Sequence, residues 1–215
     1  MDALLFDLFG VIAPGQAPED RAAIEAAAGA RGSVFWNAYW DARGGYDLGE
    51  LTGAEYWHAV GERLGRTFED VDALVALDVA SWRRVDTDVL GYIRTLAARG
   101  LRMGLLSNIP ADLAGYFATH HGEVFDLFDV LGLSCRIGHA KPSPEAYLWC
   151  LEEFGLPAER VMFVDARPAN VAGALAEGMQ GHHYTSLPTL RAHLLARTYR
   201  TAAGMATGLT TPSRP

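Results

Sequence analysis

The chain has 215 residues, half of them hydrophobic, and a formal net charge of −8. This length allows one large domain, or a core domain with a smaller insertion. The acidic balance opposes binding to nucleic-acid phosphates, and no apolar stretch approaches the roughly 18 residues that suggest a membrane span. The N-terminus lacks the basic and apolar regions of a signal peptide. We therefore expect a cytoplasmic protein that acts on a small molecule, with no nucleic-acid or membrane partner.

The first predicted element is a buried strand that ends at a carboxylate. Residues 3–6 form an apolar run, and Asp7 follows where the strand gives way to a loop. Ligands of open α/β sheets bind outside the carboxyl ends of the strands. Asp7 is therefore a candidate nucleophile. An Asp that only caps the following turn is an equally good interpretation of this segment alone.

Residues 17–85 show helical periodicity and no strand pattern. Helices are predicted over 21–30 and 33–41 and after Thr52, which can cap a helix. This region is unusually rich in aromatic residues. A dense aromatic stripe more often forms the interior of a small helical unit. Any of these residues that face a cleft would favour a substrate with an apolar or ring-bearing portion. Arg43 is a candidate anion contact there, with solvent exposure as the default interpretation. The aromatic residues are Phe35, Trp36, Tyr39, Trp40, Tyr46, Tyr56 and Trp57.

From residue 88 onward, predicted helices and strands alternate. This alternation predicts an α/β fold in which a parallel sheet is covered on both faces. The tail from about residue 201 is rich in Thr, Gly, Ser and Pro and is predicted to be disordered. The predicted helices cover residues 89–99, 111–120, 144–154 and 169–177, and the predicted strands cover 102–106, 130–134 and 161–164.

Polar residues follow several of these predicted strands or lie in the loops behind them. They are Asp7, the pair Ser107-Asn108, Lys141 and Asp165. A nucleophilic carboxylate needs a cation to hold it ionised, donors to bind the anionic group under attack, and an acidic site for a metal. Taken singly, Ser107-Asn108 more often caps a helix, and Lys141 is more often a solvated loop lysine. Together they indicate an active site.

These segments resemble the motifs of the haloacid dehalogenase superfamily of phosphatases and related hydrolases. All four occur in the family's order, across roughly residues 3–185. The resemblance implies a Rossmann-like α/β core formed by residues 1–14 and 86–200, and an α-helical cap formed by residues 15–85. The segments are Phe6-Asp7-Leu8-Phe9-Gly10-Val11, Leu105-Leu106-Ser107-Asn108, Lys141-Pro142-Ser143-Pro144-Glu145-Ala146-Tyr147 and Val164-Asp165-Ala166-Arg167-Pro168-Ala169-Asn170-Val171.

The resemblance also implies roles for individual residues. Asp7 would be the nucleophile that forms an aspartyl-phosphate or aspartyl-ester intermediate. Ser107, with the backbone N–H of Asn108, would bind the transferring group, and Lys141 would neutralise Asp7 and the developing charge. Asp7, the Phe9 carbonyl and Asp165 would hold Mg²⁺, which prefers an octahedron of oxygens.

Further residues are candidates for substrate contact. They are Phe9 and Asn108 beside the nucleophile, Arg43 in the predicted cap and Arg167 in the fourth motif.

Two positions depart from the family pattern. Phe9 stands where most phosphatases of the family carry an Asp as general acid, a group worth roughly a hundred- to ten-thousand-fold in rate. Ala166 stands where the acidic pair usually supplies its direct metal ligand. Asp165 cannot replace it without a backbone shift, because successive side chains of an extended segment point in opposite directions. We therefore expect Mg²⁺ to bind weakly.

Three functions are compatible with these departures. The sequence favours a hydrolase that acts on a small phosphate ester through Asp7. The metal-free L-2-haloacid dehalogenases also lack both acids, but they carry a Thr where this chain has Val11 and a Ser-Ser-Asn run where it has Asp165-Ala166-Arg167. The third possibility is a catalytically lapsed binding protein, in which the Phe9 side chain fills space otherwise meant for substrate.

Overall fold

In a computed structural model of the chain, the backbone is described for residues 1–207 and the side chains for residues 1–197. The core is a five-stranded sheet with strand order β3-β2-β1-β4-β5, and every pairing is parallel. This arrangement confirms the predicted α/β class. The strands are β1 (Ala3–Phe6), β2 (Arg102–Ser107), β3 (Val130–Leu133), β4 (Val161–Asp165) and β5 (Gln180–His183).

The central strand β1 is buried on both faces. All four of its residues are apolar, as expected for a strand inside a parallel sheet that helices cover on both sides. Leu4 and Phe6 pack into one hydrophobic cluster and Leu5 into the other, because successive side chains point to opposite faces. The register pairs Phe6 with Leu105 of β2 and with Val164 of β4. The carboxyl ends of three neighbouring strands therefore meet at one edge.

Helices cover both faces of this sheet. Among the described residues, no helix is both long and apolar enough to cross a membrane. The helices that follow β1 in the core are α5 (Thr87–Ala97), α6 (Ala111–His120), α7 (Gly122–Phe125), α8 (Ser134–Ile137), α9 (Pro144–Phe154), α10 (Pro168–Ala176) and α11 (Leu187–Thr207), with labels that continue from the four helices described next.

Between β1 and α5 the chain forms a separate helical unit, hereafter the cap. Its helices are α1 (Pro18–Ala28), α2 (Gly32–Asp47), α3 (Gly53–Arg63) and α4 (Val71–Ser81). Thr52 caps α3 as predicted, with Glu55 completing a capping box. Six of the seven aromatic residues singled out in the sequence are buried in the cap interior, whereas the seventh, Trp40, is 41% exposed.

The structure extends or adds to the predicted elements in several places, including the short helices α7 and α8, and Ser134 begins α8 instead of ending the predicted strand 130–134. α2 runs to Asp47, six residues beyond its predicted end, and β5 was not predicted as a strand. α11 was also not predicted, and its helical backbone reaches Thr207, inside the tail that was predicted to be disordered from about residue 201. The remaining residues of the predicted disordered tail, 208–215, lie outside the described part of the chain.

Candidate active site

Lys141 joins two carboxylates at the carboxyl edge of the sheet. Its ammonium nitrogen lies 2.7 Å from Asp7 Oδ1 and 2.8 Å from Asp165 Oδ2, and its side chain is 1% exposed. Asp7 directly follows β1, and its N–H donates to the Val164 carbonyl of the neighbouring strand β4. Asp165 is the last residue of β4. The predicted pairing of Lys141 with Asp7 is confirmed, and the single cation is shared between both acids.

Only one of the two Asp7 carboxylate oxygens has hydrogen-bonding or ion-pair partners among the described residues. Oδ1 accepts the Leu8 N–H at 2.8 Å in addition to the Lys141 contact. No donor among the described residues reaches Oδ2. Burial raises the pKa of Asp7 to about 6, and the neighbouring Asp165 adds to the rise while Lys141 opposes it. Asp7 therefore presents one fixed oxygen and one free oxygen, which is the arrangement that a carboxylate nucleophile needs.

Ser107 and Asn108 differ in what they bind. Ser107, at the end of β2, is fully buried, and its hydroxyl has no hydrogen-bond partner among the described residues. Buried hydroxyls are normally paired, so an unpaired one at the same sheet edge as Asp7 is suited to a bound ligand. The Asn108 side chain instead accepts the Lys141 N–H and donates to the Lys141 carbonyl, both at 2.9 Å. Its amide therefore positions the segment that carries Lys141.

Asp165 is saturated by internal hydrogen bonds. Oδ2 accepts from Lys141 and from the Asn170 side chain at 2.9 Å, while Oδ1 accepts the Arg167 N–H at 2.7 Å. The predictions did not assign a role to Asn170. Its signal in the sequence is its place in the fourth motif, five residues after Asp165 and on the first turn of α10. Asp165 and Asn170 thus hold Lys141 against Asp7.

The residues at this edge do not fit a magnesium site of the family's kind. Of the oxygens that the family resemblance assigns to the metal, Asp7 Oδ2 and the Phe9 carbonyl have no partner among the described residues. Asp165, expected as a ligand, is occupied by its three donors, and a methyl group stands at Ala166. In residues 1–197 no group of three His, Cys, Asp or Glu side chains could hold a metal ion. Because Mg²⁺ requires near-ideal octahedral coordination by oxygen, we derive no chemical step through it.

Phe9 forms part of an aromatic wall in the cavity that Asp7 also lines. Its ring packs edge-on against Trp82, with the ring centroids 5.1 Å apart, and Trp82 in turn contacts Trp40 at 6.2 Å. These three residues, hereafter the aromatic wall, line a cavity of about 530 Å³ between core and cap. Asp7 and Lys141 line the same cavity. The cavity therefore combines an apolar side with a charged floor, which is typical of small-molecule sites.

Arg43 is not the solvent-exposed residue that was the default expectation. It is 6% exposed and forms ion pairs of 2.9 Å with Asp47 and with Asp78. It also donates to the Tyr39 hydroxyl at 2.8 Å. The ion pair with Asp78 spans 35 residues of sequence, so the sequence pattern did not reveal it. Arg43 lines the cavity, but its charge is balanced by cap carboxylates.

Arg167 lies exposed at the mouth of the cavity. Its guanidinium carbon is 5.9 Å from the centroid of the Trp40 ring, so it bridges from the core towards the cap. No carboxylate among the described residues forms an ion pair with it. An unpaired guanidinium at a cavity mouth is suited to an anionic ligand group. The structure thus leaves Arg167, rather than Arg43, free for such a contact.

The fold is a Rossmann-like α/β core with an inserted helical cap, and a lysine shared between two carboxylates lies at the carboxyl edge of its sheet. The family model of haloacid dehalogenase-like hydrolases matches residues 1–178. The chain belongs to this family.

Several relatives are phosphatases by name. The chain is 27% identical to sesquiterpene phosphatase astK of Aspergillus oryzae over 154 residues, which cover 72% of this chain and 76% of that protein. It is 31% identical to a phosphatase of Mycobacterium tuberculosis over 111 residues, which cover 52% of this chain and 51% of that protein. The match thus spans about half the length of the mycobacterial phosphatase.

Solved structures share the fold at low sequence identity. A haloacid dehalogenase family enzyme from Bacteroides thetaiotaomicron, crystallised with magnesium and inorganic phosphate, superposes with a TM-score of 0.71 at 20% identity, covering 87% of this chain and 96% of that chain. L-2-haloacid dehalogenase from Xanthobacter autotrophicus superposes with a TM-score of 0.65 at 20% identity, covering 91% of this chain and 83% of that chain. These likenesses bear on the fold alone.

Proposed function

We propose that the protein is a phosphatase of small phosphate monoesters that works through an aspartyl-phosphate on Asp7. The observation that carries this proposal is the free Oδ2 of Asp7 on a carboxylate whose other oxygen is fixed by Lys141 and the Leu8 N–H. The buried, unpaired hydroxyl of Ser107 supports it, because a phosphoryl oxygen would complete its hydrogen bonding. The two phosphatase relatives agree with the same reaction class.

The chemistry follows from these contacts. Asp7 Oδ2 attacks phosphorus, the new bond from oxygen to phosphorus forms, and the bond to the leaving alcohol breaks. Lys141 keeps Asp7 ionised and offsets the negative charge that gathers between the carboxylate and the phosphoryl group. Water then attacks phosphorus and releases inorganic phosphate, which restores the Asp7 carboxylate. Arg167 at the cavity mouth can bind a phosphoryl or other anionic oxygen of the substrate.

The leaving group is apolar under this proposal. The aromatic wall of Phe9, Trp82 and Trp40 forms one side of the cavity and presents ring faces and edges to the alcohol portion of a substrate. Apolar surface is attracted to such a wall by roughly 25 cal/mol for each Å² removed from water. The name of the Aspergillus relative, a sesquiterpene phosphatase, points in the same direction. A terpenyl phosphate is therefore the first substrate class to test.

The nucleophile is tested by trapping the intermediate. Purified protein would be mixed with ³²P-labelled farnesyl monophosphate and quenched in acid, and we expect label that stays on the protein and is released by hydroxylamine, as for an acyl phosphate. Asp7→Asn should abolish the label, whereas the matched control Asp126→Asn, at an exposed position of the core, should keep it. Label that persists in Asp7→Asn would refute covalent catalysis by this residue.

Recognition of an apolar substrate by the aromatic wall is tested by truncating Trp40, the most exposed of its residues. Trp40 is 41% exposed, so Trp40→Ala removes ring surface from the cavity without emptying a buried core. We expect its KM for farnesyl monophosphate to rise about tenfold or more, with a much smaller rise for a short polar phosphate ester. Leu148→Ala, which removes a 49% exposed side chain outside this cavity, is the control and should change neither KM. An equal rise of KM for both esters would show that the aromatic wall does not recognise the apolar part of the substrate.

A metal-free dehalogenase is the second candidate, and the poor fit to magnesium favours it. The same protein would be assayed with 2-haloacids in the presence of a chelator. Halide release that depends on Asp7, with no phosphoryl label from phosphate esters, would replace the phosphatase proposal. Binding of farnesyl monophosphate without either reaction would instead indicate a binding protein.

A further inference from the structure

A second carboxylate faces the cavity from the cap. Asp47 is the last residue of α2, and its side chain is 17% exposed and lines the same cavity as Asp7. Its Oδ1 accepts the Arg43 Nε–H at 2.9 Å. No donor among the described residues reaches its Oδ2. Asp47 therefore has one anchored oxygen and one oxygen that is available to the cavity.

The backbone of this residue is fixed directly on the core. The Ser134 hydroxyl donates to the Asp47 carbonyl and accepts the Ile109 N–H at 2.8 Å. Ile109 follows the Ser107-Asn108 pair at the end of β2, so a single hydroxyl connects the end of α2 to the segment that bears the site.

Close backbone packing reinforces this placement. Two residues after Asp47, a Cβ added at Gly49 would lie 2.9 Å from the Cys135 carbonyl oxygen of the core. The end of α2 thus sits against the core without an intervening side chain, and the position of Asp47 relative to the sheet edge is well defined.

The reaction needs a proton donor that the core does not supply. An alkoxide is a poor leaving group, and the position at which relatives of this family carry a general acid is occupied by the hydrocarbon ring of Phe9. The carboxyl groups that line the cavity are those of Asp7, the nucleophile, and Asp47. The Lys141 ammonium is already shared between Asp7 and Asp165. Asp47 is thus the cavity carboxyl that is not already used.

We infer that Asp47 is the general acid and base of the reaction, delivered from the cap in place of an acid on the core; this inference rests on the proposed phosphatase function. As Asp7 attacks and the bond between phosphorus and the leaving oxygen breaks, the Asp47 carboxyl gives its proton to that oxygen, and the alcohol departs. The resulting Asp47 carboxylate, paired with Arg43, takes a proton from the water that attacks the aspartyl-phosphate. Inorganic phosphate leaves, and both acids return to their starting states.

The electrostatic surroundings suit this role. Burial raises the pKa of Asp47, and this effect exceeds the opposing influence of Arg43. Asp78 also raises the pKa, and Arg167 lowers it. A raised pKa keeps a larger fraction of the carboxyl protonated near neutral pH, which a general acid requires.

The test compares leaving groups, because an acid matters only where the leaving oxygen needs a proton. First-turnover rates would be measured for p-nitrophenyl phosphate, whose leaving group departs unaided, and for farnesyl monophosphate. We expect a small rate difference between the two in the wild type. In Asp47→Asn, which keeps an oxygen acceptor for Arg43, we expect the rate ratio of the first ester to the second to rise about a hundred- to ten-thousand-fold.

The control variant is Asp41→Asn, which removes the same charge from an exposed position of the same helix and should leave the ratio unchanged. If Asp47→Asn folds, as checked by its circular dichroism and thermal melt, and its ratio equals that of the wild type, the inference is wrong. If it does not fold, the wild type alone decides, since a steep decline of its rate with leaving-group pKa is incompatible with an acid at work.

Failure of the inference and failure of the proposed function are distinguishable. If the wild type forms labelled Asp7 from p-nitrophenyl phosphate but shows no dependence on Asp47, the phosphatase function stands and the acid lies elsewhere. If neither ester labels Asp7, the function itself is wrong, and the role of Asp47 falls with it.

Discussion

The Lys141 ammonium lies 2.7 Å from Asp7 Oδ1, and both side chains are almost entirely buried. One cation thereby serves two buried carboxylates, since Asp165 lies on its other side. The group of three carries a net charge of −1 when both acids are ionised. This imbalance accounts for the raised pKa of Asp7 despite the direct ion pair, because burial and the second carboxylate outweigh one shared ammonium.

Removing the cation should destabilise the fold. Lys141→Met fills a similar volume but leaves Asp7 and Asp165 buried without a counter-charge, and removal of one partner from such a group costs about 3–5 kcal/mol. The measurement is the free energy of unfolding in urea. Adding Asp165→Asn should recover part of the lost free energy of unfolding, because it removes one of the two buried charges that have no counter-charge. Strictly additive effects of the two substitutions would show that the ion pairs are not coupled.

Activity should depend on the ionisation of Asp7. Because burial holds its pKa at about 6, the carboxyl is protonated below that pH and ionised above it. The attacking oxygen must be ionised, so formation of the phospho-enzyme should fall about tenfold for each pH unit below the pKa and level off above it.

The second ionisation of a phosphate ester lies near pH 6 as well, so kinetics alone are ambiguous. The ¹³C chemical shift of the Asp7 carboxyl, assigned by its loss in Asp7→Asn, measures the pKa directly. A midpoint near pH 6 is expected. A midpoint at or below the ordinary value of an Asp would contradict the burial argument.

The sequence was sufficient to predict which residues meet at the sheet edge. Asp7, Ser107 and Asp165 each end or follow a strand, and parallel strands bring their carboxyl ends to the same edge. Lys141 could be added because the motif order assigned it to the same site. The hydrogen bonds of Asn108 to the Lys141 backbone could not be predicted, because they join side chain and main chain across 33 residues.

The helices of the cap were predicted, but the buried ion pairs in its interior were not. The Arg43–Asp47 pair has the i,i+4 spacing that a helix pattern can indicate, whereas Asp78 joins from a different helix. The docking of α2 on the core also depends on the backbone approach of Gly49, which has no periodic signature. The edge strand β5 was missed because Gln180-Gly181-His182-His183 lacks the β-branched residues typical of strands.

Restoring a carboxylate at position 166 should restore metal binding. We expect Ala166→Asp to bind Mg²⁺ about tenfold or more tightly than the wild type by calorimetry, because it adds an anionic oxygen near Asp7 Oδ2 and the Phe9 carbonyl. Ala166→Asn has nearly the same size as Ala166→Asp without the charge and should gain much less affinity for Mg²⁺.

Phe9→Asp should raise phosphatase activity more in the Ala166→Asp background than alone, since a general acid contributes little until the phosphoryl group is positioned. A folded Ala166→Asp protein with unchanged Mg²⁺ affinity would indicate a pocket rebuilt for metal-free chemistry.

The contact between cap and core should depend on Gly49. Its φ of +76° lies in the left-handed region, and an added Cβ would meet the Cys135 carbonyl oxygen at 2.9 Å. Gly65 has a similar φ of +65° with nothing within 4 Å of an added Cβ. Gly65→Ala should therefore lower the free energy of unfolding only by the cost of a left-handed backbone at a residue with a Cβ, about 1–2 kcal/mol. Gly49→Ala should lower it by more.

The two glycine variants separate backbone strain from docking. Unfolding in urea gives both losses, and their difference measures the close approach of α2 to the core. Because Asp47 lies two residues from Gly49, Gly49→Ala should also slow the first turnover of farnesyl monophosphate, whereas Gly65→Ala should leave it near the wild-type rate. Equal losses of stability in the two variants, with unchanged turnover in both, would mean that the end of α2 can move away from Cys135 without consequence for the site.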